Sequence, residues 1–185
     1  MNDPGRERSD VLEKLAQAAG LLEESLDVRL IPARGAMLAY AIRGARDSNG
    51  VAAVQGGIVP KQGKAYVAGP CAFGVEADIA RIVLTAMRFD PQMRCAVTLR
   101  FSRNVLSVIE NLLLECTSFD TAQEPPGIST MDWGVAYCCK EGVPDVCYDY
   151  GGKGKEGTIR LFGEKPIDVT NNIIMISNRI IHIEL

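Results

Sequence analysis

Histidine and long apolar runs are the scarcest features of this 185-residue chain. No apolar run approaches the roughly 18 residues that a membrane-spanning helix needs, and the polar start of the chain is unlike a signal peptide. The one histidine, His182, lies in an apolar stretch near the C-terminus, where a lone histidine is more often packed than catalytic. We therefore expect a cytoplasmic protein without membrane contact, in which the histidine is structural.

The sequence also lacks the spacings by which cysteine and histidine bind metals. Its six cysteines form no Cys-x-x-Cys pair and no group with the histidine. They are scattered through apolar sequence, which predicts free, buried thiols. No cofactor is indicated, and a dependence on a divalent metal is left open.

Charge of one sign is not in excess either. The formal net charge is −3 and the pI is near 5.3, so the whole molecule has no field that would draw it to DNA or to an anionic membrane. A single amphipathic helix before the main domain is too little for a helix-turn-helix. We expect no nucleic-acid partner, and any anion site must be local.

Helical and strand-like patterns alternate over most of the length, which is typical of an α/β domain with a mixed β-sheet covered by helices. Residues 1–9 are polar and are expected to form a disordered N-terminal tail before a single domain over residues 10–185. Helices are predicted from Asp10, Glu76, Ser102, Thr130 and Pro166, and strands at residues 37–42, 51–54, 58–59, 65–68, 95–101, 116–119 and 158–162.

The most informative stretch runs from Pro144 to Arg160. There a short apolar segment with two aspartates leads into a loop of four glycines and two lysines, and a β-prone segment follows. Glycines let N–H groups approach a ligand, and Lys153 and Lys155 add positive charge, which suits a phosphate. The alternative is a glycine-rich hairpin whose lysines keep it soluble, because Walker A spacing is absent and no helix is expected to follow.

The order of several motifs resembles the ThiN-type thiamine-phosphate synthases of archaea, a family often fused behind a pyrimidine kinase and sometimes behind a DNA-binding domain. The resemblance extends over about residues 11–175. Its motifs are Leu30-Ile31-Pro32, Val51 to Gly56, Phe73-Gly74, Ala80 to Pro91, Ser118-Phe119-Asp120, Asp132-Trp133-Gly134, Pro144 to Asp149, Gly154-Lys155-Glu156 and Ile159-Arg160.

The resemblance implies a condensation of hydroxymethylpyrimidine pyrophosphate with a thiazole phosphate, which gives thiamine phosphate and pyrophosphate. Such a site needs cations and N–H donors for the leaving pyrophosphate. Local roles are the alternative, with Arg81 pairing with Asp78 or Glu76 on its own helix and Asp145 capping a turn. The candidates for phosphate binding are Gly152, Lys153, Gly154, Lys155, Arg160 and Arg81, and those for the heterocycles are Asp120, Asp145 and Asp149.

Several positions depart from the family's motifs. The resemblance implies a catalytic arginine where this chain has Gly57 and a catalytic histidine where it has Asp78. A further arginine position is Ala72, and Ala33 and Met37 replace a glutamate and an asparagine. Losing a guanidinium and an imidazole removes transition-state stabilisation, and a carboxylate at position 78 repels the same phosphate. No catalytic residue is therefore assigned.

Three functions are compatible with these residues. The favoured one is a ligand sensor that binds thiamine phosphate or a related phosphorylated precursor, with lost or weak synthase activity. The alternatives are an active synthase, in which Arg81, Arg160 and the lysine loop replace the lost groups, and a diverged domain that binds another phosphorylated metabolite. In each case the partner is a small phosphate-bearing molecule. A homodimer is left open, and a regulatory version would act through a partner protein or a fused domain.

Overall fold

The computed structural model describes residues 3–127 and 130–185. None of the helices in these two ranges combines the length and apolar character needed to cross a membrane. The elements are α1 (Pro4–Ser25), β1 (Leu38–Ala41), β2 (Val51–Val54), β3 (Ile58–Lys61), β4 (Lys64–Val67), β5 (Cys71–Phe73), α2 (Ala77–Phe89), β6 (Cys95–Arg100), α3 (Arg103–Asn111), β7 (Cys116–Ser118), α4 (Trp133–Cys138), β8 (Val146–Tyr148), β9 (Thr158–Gly163) and α5 (Pro166–Ile180).

Seven of these strands form one mixed sheet in the order β5-β2-β1-β6-β9-β8-β7. Neighbouring strands are antiparallel except β7 and β8, which run parallel. Strands β3 and β4 form a separate hairpin. The predicted α/β architecture with a mixed sheet is confirmed.

Helices cover both faces of the sheet because its central strands alternate between two apolar cores. Val97 and Ile159 belong to the core beneath α1, α3 and α5. Ala96 and Phe162 belong to the core beneath α2 and α4. Successive side chains of a strand point to opposite faces, so β6 and β9 serve both cores and hold the three layers together.

The chain enters helix α1 earlier than the sequence indicates. The helix begins at Pro4 rather than at Asp10, so the predicted disordered tail is wrong for residues 4–9, while residues 1 and 2 lie outside the described residues. Asp3 accepts a hydrogen bond from the Gly5 N–H at 3.0 Å, and Pro4 takes the first helical position, where its missing N–H has no cost.

Two side chains dock this early part of α1 onto the rest of the domain. Glu7 accepts a hydrogen bond from the Arg43 N–H at 2.8 Å and lies 3.6 Å from the buried Arg94 guanidinium. The Arg8 guanidinium stacks 3.8 Å from the centroid of the Phe73 ring. Because these contacts come from distant segments, the local capping pattern at Asp10 could not reveal them.

Helix α4 is shorter than predicted. The sequence favours a helix from Thr130 to Lys140, but the structure has one over Trp133–Cys138. The Asp132 carboxylate accepts a hydrogen bond from the Val135 N–H at 3.0 Å, which fixes the start of the helix.

The single histidine and the cysteines differ partly from expectation. His182 follows α5 and is exposed, so the prediction of a packed histidine is wrong. The cysteines are free thiols, as predicted, but Cys71 and Cys116 are only half-buried. The remaining four, including the neighbours Cys138 and Cys147, are buried in the sheet layers.

The Glu7 contact can be tested by replacement. In Glu7→Ala the Arg94 guanidinium, whose side chain is 9% exposed, loses its carboxylate neighbour, and the Arg43 N–H loses its acceptor. We expect the free energy of unfolding, measured by urea denaturation, to fall by about 1–3 kcal/mol. Glu13→Ala, at an exposed position of the same helix, should change it by less than about 0.5 kcal/mol. Equal stability of the two variants would show that the Glu7 contact does not hold the helix.

Candidate functional site

Toward one end of the sheet, the face beneath α2 and α4 changes from apolar to polar. The positions that follow Ala96 on this face of β6 are Thr98 and Arg100. Thr98 lies opposite Arg160 of β9, and Arg100 lies opposite Thr158 of β9. Residues directly opposite each other in a sheet share a face, so these four side chains form one patch. We call Thr98, Arg100, Thr158 and Arg160 the polar face.

Arg160 is the most enclosed cation of the polar face. Its Nη1 donates to the Asp149 carboxylate at 3.0 Å and to the Thr158 carbonyl at 3.3 Å. Its guanidinium carbon lies 5.0 Å from the centroid of the Phe119 ring. The side chains of Arg160 and Asp149 are only 12% and 5% exposed, so the pair is largely removed from water. Arg160 is therefore held in one orientation, and Asp149 is its counter-charge rather than a free acceptor.

The glycine-lysine segment is a tight hairpin between β8 and β9. Gly152 and Lys155 exchange two backbone hydrogen bonds of 3.0 and 2.9 Å, so their N–H groups are used within the hairpin. Gly151 has φ +73° and packs so closely on the Lys155 carbonyl that a side chain would not fit. Lys153 and Lys155 are exposed. The hairpin is formed, as the second interpretation predicts, and phosphate binding by this segment stays a prediction.

The end of the hairpin is fastened to two other segments by Glu156. One carboxylate oxygen accepts a hydrogen bond from the Ala33 N–H at 3.0 Å. The other lies 2.8 Å from Nε of Arg100, in an ionic contact that is not a well-aligned hydrogen bond. The hairpin, the end of β6 and the loop before β1 therefore meet at one carboxylate.

A series of contacts through the turn between β2 and β3 links the start of α2 to the polar face. Glu76 accepts a hydrogen bond from the Gly56 N–H at 2.7 Å. A Cβ added at Gly57 would lie 2.6 Å from Met37 Sδ. The Met37 N–H in turn donates to Thr98 Oγ1 at 2.9 Å. The position where the family resemblance implies a catalytic arginine thus carries no side chain and has little room for one.

Arg81 does not join the polar face in this structure. It pairs with Asp78 on its own helix at 2.8 Å, and the two side chains are 44% and 85% exposed. The local alternative for Arg81 is therefore what the structure contains. Arg81 lines a cleft of about 510 Å³ with Trp133 and the segment Glu124 to Gly127.

The three predicted aspartates separate into different environments. Asp149 pairs with Arg160. Asp120 is exposed at a shallow cleft of about 310 Å³ beside Tyr150 and Gly151 at the base of the hairpin, and its carboxylate also accepts from the Ala122 N–H. Asp145 precedes β8, at the end of that strand away from the hairpin, and accepts from the Glu115 N–H at 2.8 Å. This contact ties the start of β8 to the residue before β7, and the expected place of Asp145 among the ligand-binding residues stays a prediction.

A thiol pair lies beside Arg160 in the same layer. Cys147 is opposite Arg160 in the sheet, and its Sγ lies 2.7 Å from that of Cys138 in α4. The hydrogen bond from Cys147 lowers the pKa of Cys138. The same contact, with burial, raises the pKa of Cys147. Both thiols are buried, so the pair contributes packing between α4 and the sheet rather than an accessible nucleophile.

No metal centre can be built from the described residues. Across residues 3–127 and 130–185, no three side chains among histidine, cysteine, aspartate and glutamate come together in a way that could hold a metal ion.

Sequence reasoning missed Thr98, Arg100 and Glu156 as parts of this region. The signal for the first two was present, because Val97 and Leu99 on one face of β6 place Thr98 and Arg100 on the other. The partner of Arg100 is Glu156, which is distant in sequence, so only the pairing of β6 with β9 brings them together.

The fold and the polar face define a class of protein, a single α/β domain with basic side chains grouped at one end of its sheet. The profile of the family described as thiamine-phosphate synthase ThiN matches residues 14–175. The chain belongs to the ThiN family.

Relatives and solved structures agree with this membership. The chain is 34% identical over 172 residues to the bifunctional thiamine biosynthesis protein ThiDN of Methanocaldococcus jannaschii, in a match that covers 91% of this chain and 41% of that protein. It is 30% identical over 133 residues to the thiamine-phosphate synthase ThiN of Methanothermobacter thermautotrophicus, covering 68% and 70%. A crystal structure of the C-terminal domain of a phosphomethylpyrimidine kinase superposes with a TM-score of 0.87 at 33% identity, covering 92% of this chain and 100% of that one. The chain thus spans less than half the length of the bifunctional relative.

The enclosed ion pair gives a prediction about stability. Asp149→Ala leaves the Arg160 guanidinium largely buried without its counter-charge and removes the acceptor of the Gly151 N–H. We expect the free energy of unfolding to fall by about 3–5 kcal/mol. Asp120→Ala, which removes only an exposed capping bond, should cost about 1 kcal/mol. Denaturant titration compares the two, and equal losses would show that the Arg160 pair is not a structural centre.

Proposed function

We propose that this domain binds thiamine phosphate or a related phosphorylated thiamine precursor and has weak or no thiamine-phosphate synthase activity. The observation that carries the proposal is an asymmetry of charge. Strand β9 and the hairpin before it carry the cations Arg160, Lys153 and Lys155, whereas the start of α2 carries the acidic residues Glu76 and Asp78. The site therefore attracts an anion from one side only.

The missing groups matter for the reaction because pyrophosphate must leave a carbon atom as charge develops on its oxygens. Preorganised donors facing that charge supply several kcal/mol of transition-state stabilisation, about 3–4 kcal/mol for one donor in a measured case. At Gly57 there is no donor side chain, and Asp78 presents a carboxylate, which disfavours a phosphate at the N-terminus of its helix. Binding of a product-like phosphate needs fewer donors than expelling pyrophosphate does.

An active synthase is the second candidate, and one observation favours it. The ion pair of Arg81 with Asp78 is exposed, and exposed pairs contribute at most about 1 kcal/mol. Arg81 could therefore turn away from Asp78 toward a bound pyrophosphate at little cost. In that case the cleft beside Trp133 would hold part of the substrate.

Two measurements on the same preparation separate these functions. Calorimetry with thiamine phosphate is expected to give saturable binding, while incubation with hydroxymethylpyrimidine pyrophosphate and thiazole phosphate is expected to give little thiamine phosphate. The double variant Lys153→Ala, Lys155→Ala should weaken binding about tenfold, since each lost cation removes a charge-assisted contact. The matched control is Lys61→Ala, Lys64→Ala in the β3–β4 hairpin, which should bind as the parent does. Turnover equal to that of an intact synthase would contradict the proposal in favour of the second candidate.

Restoring the arginine that the family resemblance implies should not restore activity. Gly57 has φ +69°, and a Cβ there would lie 2.9 Å from the Ala36 carbonyl oxygen and 2.6 Å from Met37 Sδ. We expect Gly57→Arg to lower the free energy of unfolding by about 1–3 kcal/mol through backbone strain, without a gain in synthase rate. Asp78→His is the control, because Asp78 is exposed and has room for the larger side chain. A stable, faster Gly57→Arg variant would show that the backbone adapts and that a lost arginine alone limits the rate.

A further inference from the structure

Arg100 is a cation of the polar face whose binding capacity is not used within the protein. It ends β6, and its side chain is 43% exposed. Nε lies against the Glu156 carboxylate at 2.8 Å, while the two terminal nitrogens meet no acceptor in the described ranges 3–127 and 130–185. A guanidinium whose Nε faces a carboxylate and whose two terminal nitrogens are free can bind phosphate oxygens in pairs.

Glu156 keeps that guanidinium in place. Its second oxygen accepts from the Ala33 N–H at 3.0 Å, so the carboxylate is held from the loop before β1. Glu156 also ends the hairpin that carries Lys153 and Lys155, so its carboxylate links Arg100 to the base of that hairpin. Glu156 is therefore a positioning residue, and Arg100 is the group it presents.

The surroundings of Arg100 are basic although the whole chain has a net charge of −3. Of the carboxylates in this region, Asp149 is engaged by Arg160 and Glu156 by Arg100, while Asp120 is exposed at the base of the hairpin. Such a local excess of positive charge concentrates anions at this end of the sheet. The basic side chains of this region are those of Arg103, whose guanidinium lies 5.6 Å from the centroid of the Tyr150 ring, and of Arg100, Lys153, Lys155 and Arg160.

Arg160 and Arg100 differ in what they can still bind. Arg160 is 12% exposed and spends its Nη1 on Asp149 and on a backbone carbonyl. Arg100 is more than three times as exposed and retains both terminal nitrogens. Arg160 is therefore the more enclosed of the two cations, and Arg100 is the more accessible to a ligand.

We propose that Arg100 is the principal anion-binding residue of this domain, and that its free guanidinium edge, together with Lys153 and Lys155, binds the phosphate or diphosphate group of the ligand. This inference rests on the proposed function in that it names the residue that holds the ligand's phosphate. It places the phosphate at Arg100, at the outer rim of the polar face beside the hairpin, rather than at Arg160.

The test uses inorganic pyrophosphate as the probe in isothermal titration at low ionic strength. We expect Arg100→Ala to weaken its binding about ten- to a hundredfold, the range for losing hydrogen bonds to a charged group. Arg46→Ala, an exposed arginine in the loop at the other end of β1, is the matched control and should bind as the parent does. Binding by Arg100→Ala within about twofold of the parent, or no binding by the parent itself, would overturn the inference.

A second variant keeps the test decisive if Arg100→Ala fails to fold. Arg100→Lys retains the charge beside Glu156 but loses the planar fork, so we expect a folded protein with binding weakened by several-fold. Unchanged affinity in Arg100→Lys would show that only the general positive field is needed, which contradicts a specific Arg100 contact. Thermal unfolding followed by circular dichroism establishes that each variant is folded.

Thiamine phosphate, titrated into the same variants, separates this inference from the proposed function. Arg100-dependent binding of pyrophosphate by a protein with no affinity for thiamine phosphate would contradict the proposed function and leave the Arg100 site in place. Binding of thiamine phosphate that is unaffected by Arg100→Ala would contradict the Arg100 site and leave the proposed function in place.

Discussion

The buried ion pair between Arg160 and Asp149 is the interaction on which the candidate site depends. It joins β9 to the residue that follows β8, and the same carboxylate accepts from the Gly151 N–H at 2.8 Å, where the hairpin begins. A charge removed from water must be paired, because an unpaired one is strongly destabilising. The Arg160–Asp149 pair, which has little freedom to move, thus fixes the conformation of the base of the glycine-lysine hairpin.

Because Arg160 is held in this pair, the cations of the site have different roles. Arg160 lies inside, covered by the Phe119 ring, and organises the strands. The side chains that can meet a ligand stand around it, at Arg100 on the neighbouring strand and at the two lysines of the hairpin. The start of α2, in contrast, carries the acidic residues Glu76 and Asp78. Membership of the ThiN family accounts for the scaffold, and this distribution of charge supports the proposed phosphate binding without efficient expulsion of pyrophosphate.

Much of this architecture could be predicted from the sequence, because it depends on local patterns. Alternation places Val97 and Leu99 on one face of β6, and the glycine-rich run between two β-prone segments predicts the hairpin. The remainder depends on contacts between distant segments. Helix α1 extends to Pro4 because Glu7 meets Arg43 and Arg94, and no local pattern contains that information.

The distinction between local patterns and distant contacts also explains which candidate site residues could be predicted from the sequence. Arg81 and Asp145 were predicted from motifs, yet each has a nearby partner that satisfies it. Arg100 was not singled out, because its significance arises only when β6 pairs with β9 and Glu156 arrives beside it.

The most direct measurement is a crystal structure of the protein with thiamine phosphate bound. We expect the phosphate to lie at the rim of the polar face, within hydrogen-bonding distance of the Arg100 terminal nitrogens and beside Lys153 or Lys155. A phosphate bound instead at the start of α2, held by Arg81 after its release from Asp78, would contradict this assignment and would indicate that the helix side of a working synthase is intact.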